Sequence, residues 1–191
     1  RSELGYGPEG LTRDSDEAFG WQSPDLLLSQ TCGYPYRNGL HGKVKLIGTP
    51  DYGLQGCPPG YYYSVMVART DDPRRELPEF ATAPMAYNSA SSQSGWAAPQ
   101  NHATTMGFCF NNTHISGSHH GSAQAVAAGR ADIAAIDGLT WEMLTRYDDF
   151  AQGLRIVYRT PLPPPLPYIA HMELDSAASY DAISSHVSSR R

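Results

Sequence analysis

The sequence predicts an α/β fold, and three observations carry that prediction. Short apolar or β-prone runs alternate with helix-forming runs along the chain. Two polar turns each stand between an extended segment and a helix former. One is Ser89-Ala90-Ser91-Ser92-Gln93-Ser94-Gly95, and the other, about 25 residues later as a βα repeat would place it, is Ser116-Gly117-Ser118-His119-His120-Gly121-Ser122. Finally, 191 residues with 40% hydrophobic content suffice to bury a core in one or two compact domains.

In chain order, the polar, glycine-containing segment Arg1 to Gly20 reads as loop, with a short helix near Asp14 to Phe19 capped by Ser15 or Asp14. Asp25 to Gln30 carries Leu26-Leu27-Leu28 and fits a buried parallel strand that ends in Ser29-Gln30-Thr31. Lys43 to Gly48 partly alternates and predicts a second strand, followed by a Gly/Pro-rich loop to Gly60. Tyr61 to Arg69 is the longest β-prone run. Alternation sets Tyr62 and Ser64 on one face and Val65 and Val67 on the other.

Asp71 to Phe80, charged and holding Pro73 and Pro78, predicts a surface loop with one helical turn. The helix opened at Trp96 meets Pro99, His102 and Gly107, so it should be short or kinked. Phe108-Cys109-Phe110 is the apolar segment ahead of the second turn. Ala123 to Ala128 is a helix former stopped by Gly129. Ala131 to Asp137 predicts a buried strand with Asp137 at its carboxyl end. Gly138 to Phe150 predicts a helix whose spacing sets Leu139, Met143, Leu144 and Tyr147 together, and Leu154 to Tyr158 a further strand. Five prolines from Pro161 to Pro167 predict an extended, polyproline-like connection, and the tail from Asp175 a weak helix.

The formal net charge of −5, with no basic run beyond Arg74-Arg75 and Arg190-Arg191, leaves out the electrostatic footprint of a nucleic-acid binder. No apolar run approaches the roughly 20 residues needed to span a bilayer. Of three cysteines, Cys32 and Cys57 lie in Gly/Pro-rich turns, while Cys109 between two phenylalanines reads as a buried thiol.

Hydroxyls at a strand-to-helix turn can cap the helix. Together with the free N–H groups and the positive dipole end they can also hold an anion. In an open α/β sheet two such turns meet at the carboxyl ends of the strands, where ligands bind. A metal site from His114, His119 and His120 is disfavoured, because adjacent histidines on a helix cannot both face one ion and no Cys-x-x-Cys supports them. A hydrolytic triad of Ser94, His119 and Asp137 lacks the Gly-x-Ser-x-Gly elbow.

Ser-x-Ser-Gly after a strand, then Gly-Ser-His ahead of Ala-Val-x-x-Gly-x-Ala-Asp-x-Ala-Ala-Ile-Asp, resembles the phosphonate-type periplasmic solute-binding proteins of ABC importers. The resemblance runs from about Pro24 to Tyr168 through Asp25 to Pro35, Tyr62 to Val67, Asn88 to Gly95 and Gly117 to Asp137. It implies a two-lobed, type 2 periplasmic-binding-protein-like fold with mixed, mainly parallel sheets. Residues 1–78 would form part of the first lobe with a crossing strand, 79–160 the second α/β lobe, and 161–191 a return to the first. Family members begin with an earlier strand and helix, so the first lobe is expected to be incomplete here.

The resemblance further implies a solute-binding component that takes a small oxyanion such as phosphate, phosphite or a phosphonate in an interlobe cleft, without a cofactor. Ser92, Gln93, Ser94, His119 and Asp137 would line the pocket, joined by Tyr62 and Tyr34. His119 would add a donor, and Asp137 would accept from a protonated ligand oxygen or hold an ammonium group. The implied partners are the membrane subunits of an ABC transporter, and the protein would be a monomer in the periplasm or anchored outside the cytoplasmic membrane. In that oxidising compartment Cys32 and Cys57 would form a disulfide. The alternatives are a small organic or nitrogen-bearing ligand held by the tyrosines and, more remotely, a serine hydrolase.

Overall fold

A computed structural model of the chain describes residues 5, 7–10, 12, 20–162 and 166–188. The helix expected over Asp14 to Phe19 lies outside these residues, as do Pro163, Pro164 and Pro165. In chain order the elements are β1 (Ser29–Gln30), α1 (Gly33–Pro35, running into a π turn at Tyr36–Leu40), β2 (Val44–Gly48), β3 (Ser64–Arg69), a 3-10 turn (Leu77–Phe80) and β4 (Met85–Tyr87). A π turn (Gln93–Ala97) then opens α2 (Ala98–Thr105), followed by β5 (Thr113–Ile115), α3 (His119–Ala127), β6 (Ile133–Asp137) and α4 (Gly138–Tyr147). A second 3-10 turn (Asp149–Gly153), β7 (Leu154–Arg159), β8 (Tyr168–His171) and α5 (Ser176–Ser188) complete the order. Among the described residues no helix is long and apolar enough to cross a membrane.

The chain divides into two compact units, Arg1–Pro50 with Leu166–Arg191, and Asp51–Pro165. In the first, β1, β8 and β2 form an antiparallel sheet in that order. The leucine triplet before β1 is not a buried parallel strand. Pairing with β8 begins only at Ser29, Leu26 turns into the core with Trp21, Leu40, Val44 and Ile169, and Leu28 is exposed. An edge strand of an antiparallel sheet can face solvent on one side, and this one does. The tail forms α5, where the Asp175 carboxylate accepts from the Ala177 and Ala178 amides at 2.9 and 3.3 Å.

The second unit holds a five-stranded mixed sheet of order β5-β4-β6-β3-β7. Only β5, β4 and β6 run parallel, where the sequence predicts mainly parallel pairing; β3 is antiparallel to both neighbours. Because β3 is bonded on both edges and covered on both faces, every residue from Ser64 to Ala68 is buried, and the expected alternation separates two buried faces. This pairing puts β3 in the second unit, so the division falls after Pro50 and not at residue 78. Met66, Phe80, Met85, Phe110 and Ile133 form the core on one side.

Three local features differ from the sequence expectation, each for a physical reason. Phe108 to Phe110 does not join the sheet. The Gln100 side chain pairs with the Phe110 backbone (Nε2 to O 2.8 Å, N to Oε1 3.0 Å), so the strand starts later, at Thr113. In that extended segment Phe110 points inward and Cys109 outward, exposed rather than buried. In α4 the buried face is Gly138, Trp141 and Leu144, three residues apart, while Met143 and Tyr147 face solvent. Cys32, just before α1, belongs to the first unit and Cys57 to the second.

The helix breakers act as predicted. Pro99 carries no N–H, and the turn ahead of α2 widens so that the Ala97 and Ala98 amides reach back five residues, to the Ser92 and Gln93 carbonyls. Gly129, at φ +70°, ends α3 with its own amide on the Val126 carbonyl and that of Arg130 on Ala125, the paired bonds of a Schellman motif.

At the far end of the sheet from the two polar turns, the loop after β3 is tied down by charge. The buried Asp72 carboxylate takes two bonds from the Arg74 guanidinium, which also reaches Asp132 at 2.8 Å and lies over the Phe80 ring at 4.3 Å. Bonding to Arg74, working against burial, holds the Asp72 carboxyl at about 2, below its ordinary 3.8. A depressed folded value means stability that is present above the ordinary value and lost as pH falls towards 2. Asp72→Asn should therefore cost about 2 kcal/mol in urea titrations at pH 7. The gap between parent and variant should close as the pH is lowered from 4 towards 2.

Candidate functional site

Parallel pairing of β5, β4 and β6 brings Ile115, Tyr87 and Asp137, their last residues, to one edge of the sheet. β3 begins at the same edge, with Ser64 directly opposite Asp137. The two polar turns leave from this edge, the first after β4 and the second after β5.

In the first turn Ser92 is the N-cap, extended at φ −72° and ψ 131°, and its hydroxyl accepts from the Gly95 amide at 3.0 Å. Ser92, Gln93 and Ser94 are all buried. Gly95 is required by a close approach: a Cβ there would sit 1.9 Å from Asn88 Oδ1 and 3.2 Å from His119 Cε1. The Asn88 oxygen is buried and has no hydrogen-bond partner. Trp96 packs on Tyr87 with ring centroids 4.4 Å apart, fixing the start of the helix to the end of β4.

The second turn is built alike. Ser118 caps α3, accepting from the Gly121 amide at 2.9 Å, and Ser116 Oγ ties the turn to the Tyr87 carbonyl at 3.1 Å and to Ser122 Oγ at 2.6 Å. His119, in the first turn of α3, spans the gap. Its Nε2 lies 2.9 Å from Ser94 Oγ and its Nδ1 3.2 Å from the carbonyl oxygen of Ala135 in β6. A carbonyl can only accept, so Nδ1 carries the proton and Nε2 accepts from the Ser94 hydroxyl. Burial disfavours the imidazolium and pushes the His119 pKa below 6.5, although the nearby Asp137 charge and the Ala135 carbonyl act the other way. The ring is neutral at pH 7. Ser92 Oγ stands 3.5 Å from Ser94 Oγ, so a chain of hydroxyls leads from the first turn through the imidazole to β6.

Of the residues the sequence predicts for the site, Ser92, Ser94 and His119 are thus joined by hydrogen bonds, with Gln93 buried between the two serines. Asp137 lies at the same sheet edge as the N-cap of α4, its Oδ1 accepting from the Thr140 amide at 3.1 Å and the Thr140 hydroxyl at 3.5 Å. Tyr62, 1% exposed, precedes β3 at this edge, whereas Tyr34 is in α1 of the other unit. The triad and the histidine cluster, both disfavoured by the sequence, meet specific geometry. His119 Nδ1 faces a backbone carbonyl rather than the Asp137 carboxylate, so the three residues do not form a triad. His120 pairs with Asp148 at 3.0 Å, and among the described residues no group of three His, Cys, Asp or Glu could hold a metal.

Sequence reasoning missed Asn88, Ser118 and the Ala135 carbonyl as parts of this arrangement. Ser118 was findable, since a serine directly before a helix former is an N-cap signal. The other two act through contacts between segments that no spacing rule reports.

Residues 17–184 match the family described as phosphonate ABC transporter periplasmic substrate-binding proteins. No curated protein matches the chain. Among solved structures, PhnD1 from Prochlorococcus marinus in complex with methylphosphonate superposes with a TM-score of 0.71 at 17% identity, over 89% of this chain and 65% of that one. A binding-protein component of an ABC phosphonate transporter from Pseudomonas aeruginosa gives 0.70 at 18%, over 87% and 57%. A Xanthomonas citri protein bound to chloride gives 0.58 at 20%, over 72% and 54%. The chain therefore spans between 54% and 65% of the length of these three structures, under two thirds of each.

The neutral imidazole yields a titration with a definite sign. Unfolded chains protonate His119 near 6.5 while the folded protein resists, so stability is complete above that pH and declines as pH falls below it. Nitrogen-15 NMR should show His119 as the Nδ1–H tautomer at pH 7 and still neutral somewhat below pH 6.5. Gly95→Ala, whose new methyl collides with Asn88, should disturb that resonance and lower stability by about 1–3 kcal/mol in thermal or urea unfolding.

Proposed function

The chain belongs to the family of periplasmic substrate-binding proteins of phosphonate ABC transporters, and from that premise we propose that its two capped turns hold a small oxyanion, a phosphonate, phosphite or phosphate. The observation that carries this reading is the Ser94 Oγ to His119 Nε2 bond, which joins two helix N-termini at the ends of adjacent parallel strands. The first-turn amides of each helix lack helical partners by geometry, and both dipoles present their positive ends. Ser92 accepts from Gly95 and, because Ser94 donates to His119, turns its own proton to Ser94 Oγ at 3.5 Å, a long contact that a ligand oxygen can replace. His119 serves differently from the donor first expected. Its Nε2 accepts, so it orients Ser94 and keeps the second turn against the first.

Binding rather than catalysis is supported by the same geometry. In a hydrolytic triad a carboxylate orients the histidine, whereas here a carbonyl holds Nδ1, the Asp137 carboxylate caps α4, and burial disfavours the imidazolium. In a cell the protein would work outside the cytoplasm and deliver its ligand to the membrane subunits of an ABC importer. PhnD1, the Prochlorococcus marinus protein, is in complex with methylphosphonate, which makes that compound the first probe.

Calorimetry with methylphosphonate, phosphite and phosphate tests the reading. Ser92→Ala should weaken the best of these ligands by about tenfold to more than a hundredfold, the worth of one hydrogen bond to a charged group, and His119→Ala, which frees Ser94 and the second turn without removing a ligand bond, by about tenfold. Both variants should stay folded, with Ser92→Ala losing about 1 kcal/mol from the missing cap. Trp96 fluorescence should change on ligand addition. Unchanged affinity in both folded variants would move the ligand away from these turns.

A further inference from the structure

The first unit carries a cavity that the two turns do not use. It measures about 130 Å³ and is lined by Trp21, Gln22, Ser23, Lys43, Val44 and His171. All six residues belong to the first unit, and the cavity lies where β2 begins and β8 ends, since Val44 and His171 are partners in that ladder. The chain leaves for the second unit after Pro50 and returns at Leu166, next to the opposite ends of the same two strands. Pockets for drug-sized molecules start at roughly 300 Å³, so this one has the size for an ion.

Its walls are fixed by packing and backbone bonds. Trp21 packs with Leu26, Leu40, Val44 and Ile169 and donates its indole N–H to the Gln30 carbonyl at 3.1 Å. The Leu26 amide bonds the Ser23 carbonyl at 3.1 Å, the Lys43 amide that of Leu40 at 2.9 Å, and the His171 amide that of Leu26 at 2.9 Å. The side-chain groups left over are donors. Ser23 Oγ accepts from the Asp25 amide at 3.2 Å, which leaves its proton, and His171 Nδ1 accepts from the Glu173 amide at 3.4 Å, which puts the ring proton on Nε2. Lys43 is exposed, and its ammonium has no hydrogen bond or ion pair among the described residues. No carboxylate lines the cavity: Asp25 and Glu173 meet its lining residues through their amides. On a chain of net charge −5, this is a local set of donors without a balancing acid.

We propose that the cavity binds a free tetrahedral oxyanion, inorganic phosphate or sulfate, at a site separate from the two turns. Its donors are single and come from three segments, the turn at Gln22 and Ser23, the residue before β2 and the end of β8, so they approach an ion from different directions. A planar carboxylate is best met by the paired N–H groups of arginine, which the cavity lacks, whereas a tetrahedral ion offers oxygens on every side and takes lysine as a point charge. None of the residues placed in the turns takes part, so the proposal goes beyond the phosphonate reading and does not rest on it.

Nitrogen-15 NMR at constant ionic strength, following the Trp21 indole and the His171 ring during titration with inorganic phosphate, sulfate and acetate, is the test. Phosphate and sulfate should shift both resonances to saturation, and acetate should bind about tenfold more weakly. Ser92→Ala should leave this response unchanged, which separates it from binding at the turns. Lys43→Ala should weaken it about tenfold, and Lys43→Arg, which keeps the charge, should preserve it. The proposal is overturned by the absence of a saturable shift in the parent, by a response that folded Lys43→Ala and His171→Ala both leave unchanged, or by acetate binding equally well. Lys43-dependent sedimentation with phosphatidylglycerol vesicles, without a response to free phosphate, would assign the cavity to a lipid headgroup and overturn the free ion. Failure of methylphosphonate, phosphite and phosphate to engage the turns would overturn the phosphonate reading and leave this site standing.

Discussion

The hydrogen bond between Ser94 and His119 is the constraint on which the site depends. It links two segments 25 residues apart, and it can form only because several independent features agree. β4 and β5 must be parallel neighbours, each turn must be capped by its own serine, and residue 95 must lack a side chain so that the first turn can pass between Asn88 and the imidazole. The imidazole must also be neutral, which burial arranges, while the Ala135 carbonyl fixes which nitrogen keeps the proton. Remove any one of these and two ordinary helix starts remain, without a shared focus.

The second unit is organised to hold that focus still. β3, bonded on both edges and buried on both faces, is the beam of the sheet. At one end of the sheet the Asp72–Arg74–Asp132 cluster secures the loop that follows β3. At the other end the strand termini and their capped helices bring hydroxyls, amides and one carboxylate to the same edge of the sheet. That end also keeps two buried polar atoms without partners, Asn88 Oδ1 and Ser64 Oγ, which a purely structural edge would be expected to satisfy.

Much of this was legible in the sequence because it depends on local chemistry. Serine before a helix former signals a cap, Gly129 a helix end, Pro99 a disturbed first turn, and the run from Tyr61 a central strand. What escaped was decided by partners distant in the chain. Phe108 to Phe110 is more apolar than Thr113 to Ile115, yet the Gln100 side chain claims its backbone and the strand forms later. The leucines before β1 look like a core strand, but their neighbour β8, some 140 residues on, takes up ladder pairing only at Ser29 and reaches the triplet through the His171 amide on the Leu26 carbonyl alone. His119 was readable as a candidate from its place at a helix start. Its role as an acceptor was not, because the group that fixes its tautomer is the backbone carbonyl of Ala135, and every residue has a carbonyl.

The central claim is that one small oxyanion is gripped by both turns at once. A crystal structure of the protein saturated with methylphosphonate tests it most directly. The account predicts phosphoryl oxygens at hydrogen-bonding distance, about 2.7–3.2 Å, from the Ser92 hydroxyl and from first-turn amides of both the Ser92-capped and the Ser118-capped helix. A phosphonate bound in the crystal without contact to either turn, or to one turn alone, would contradict it.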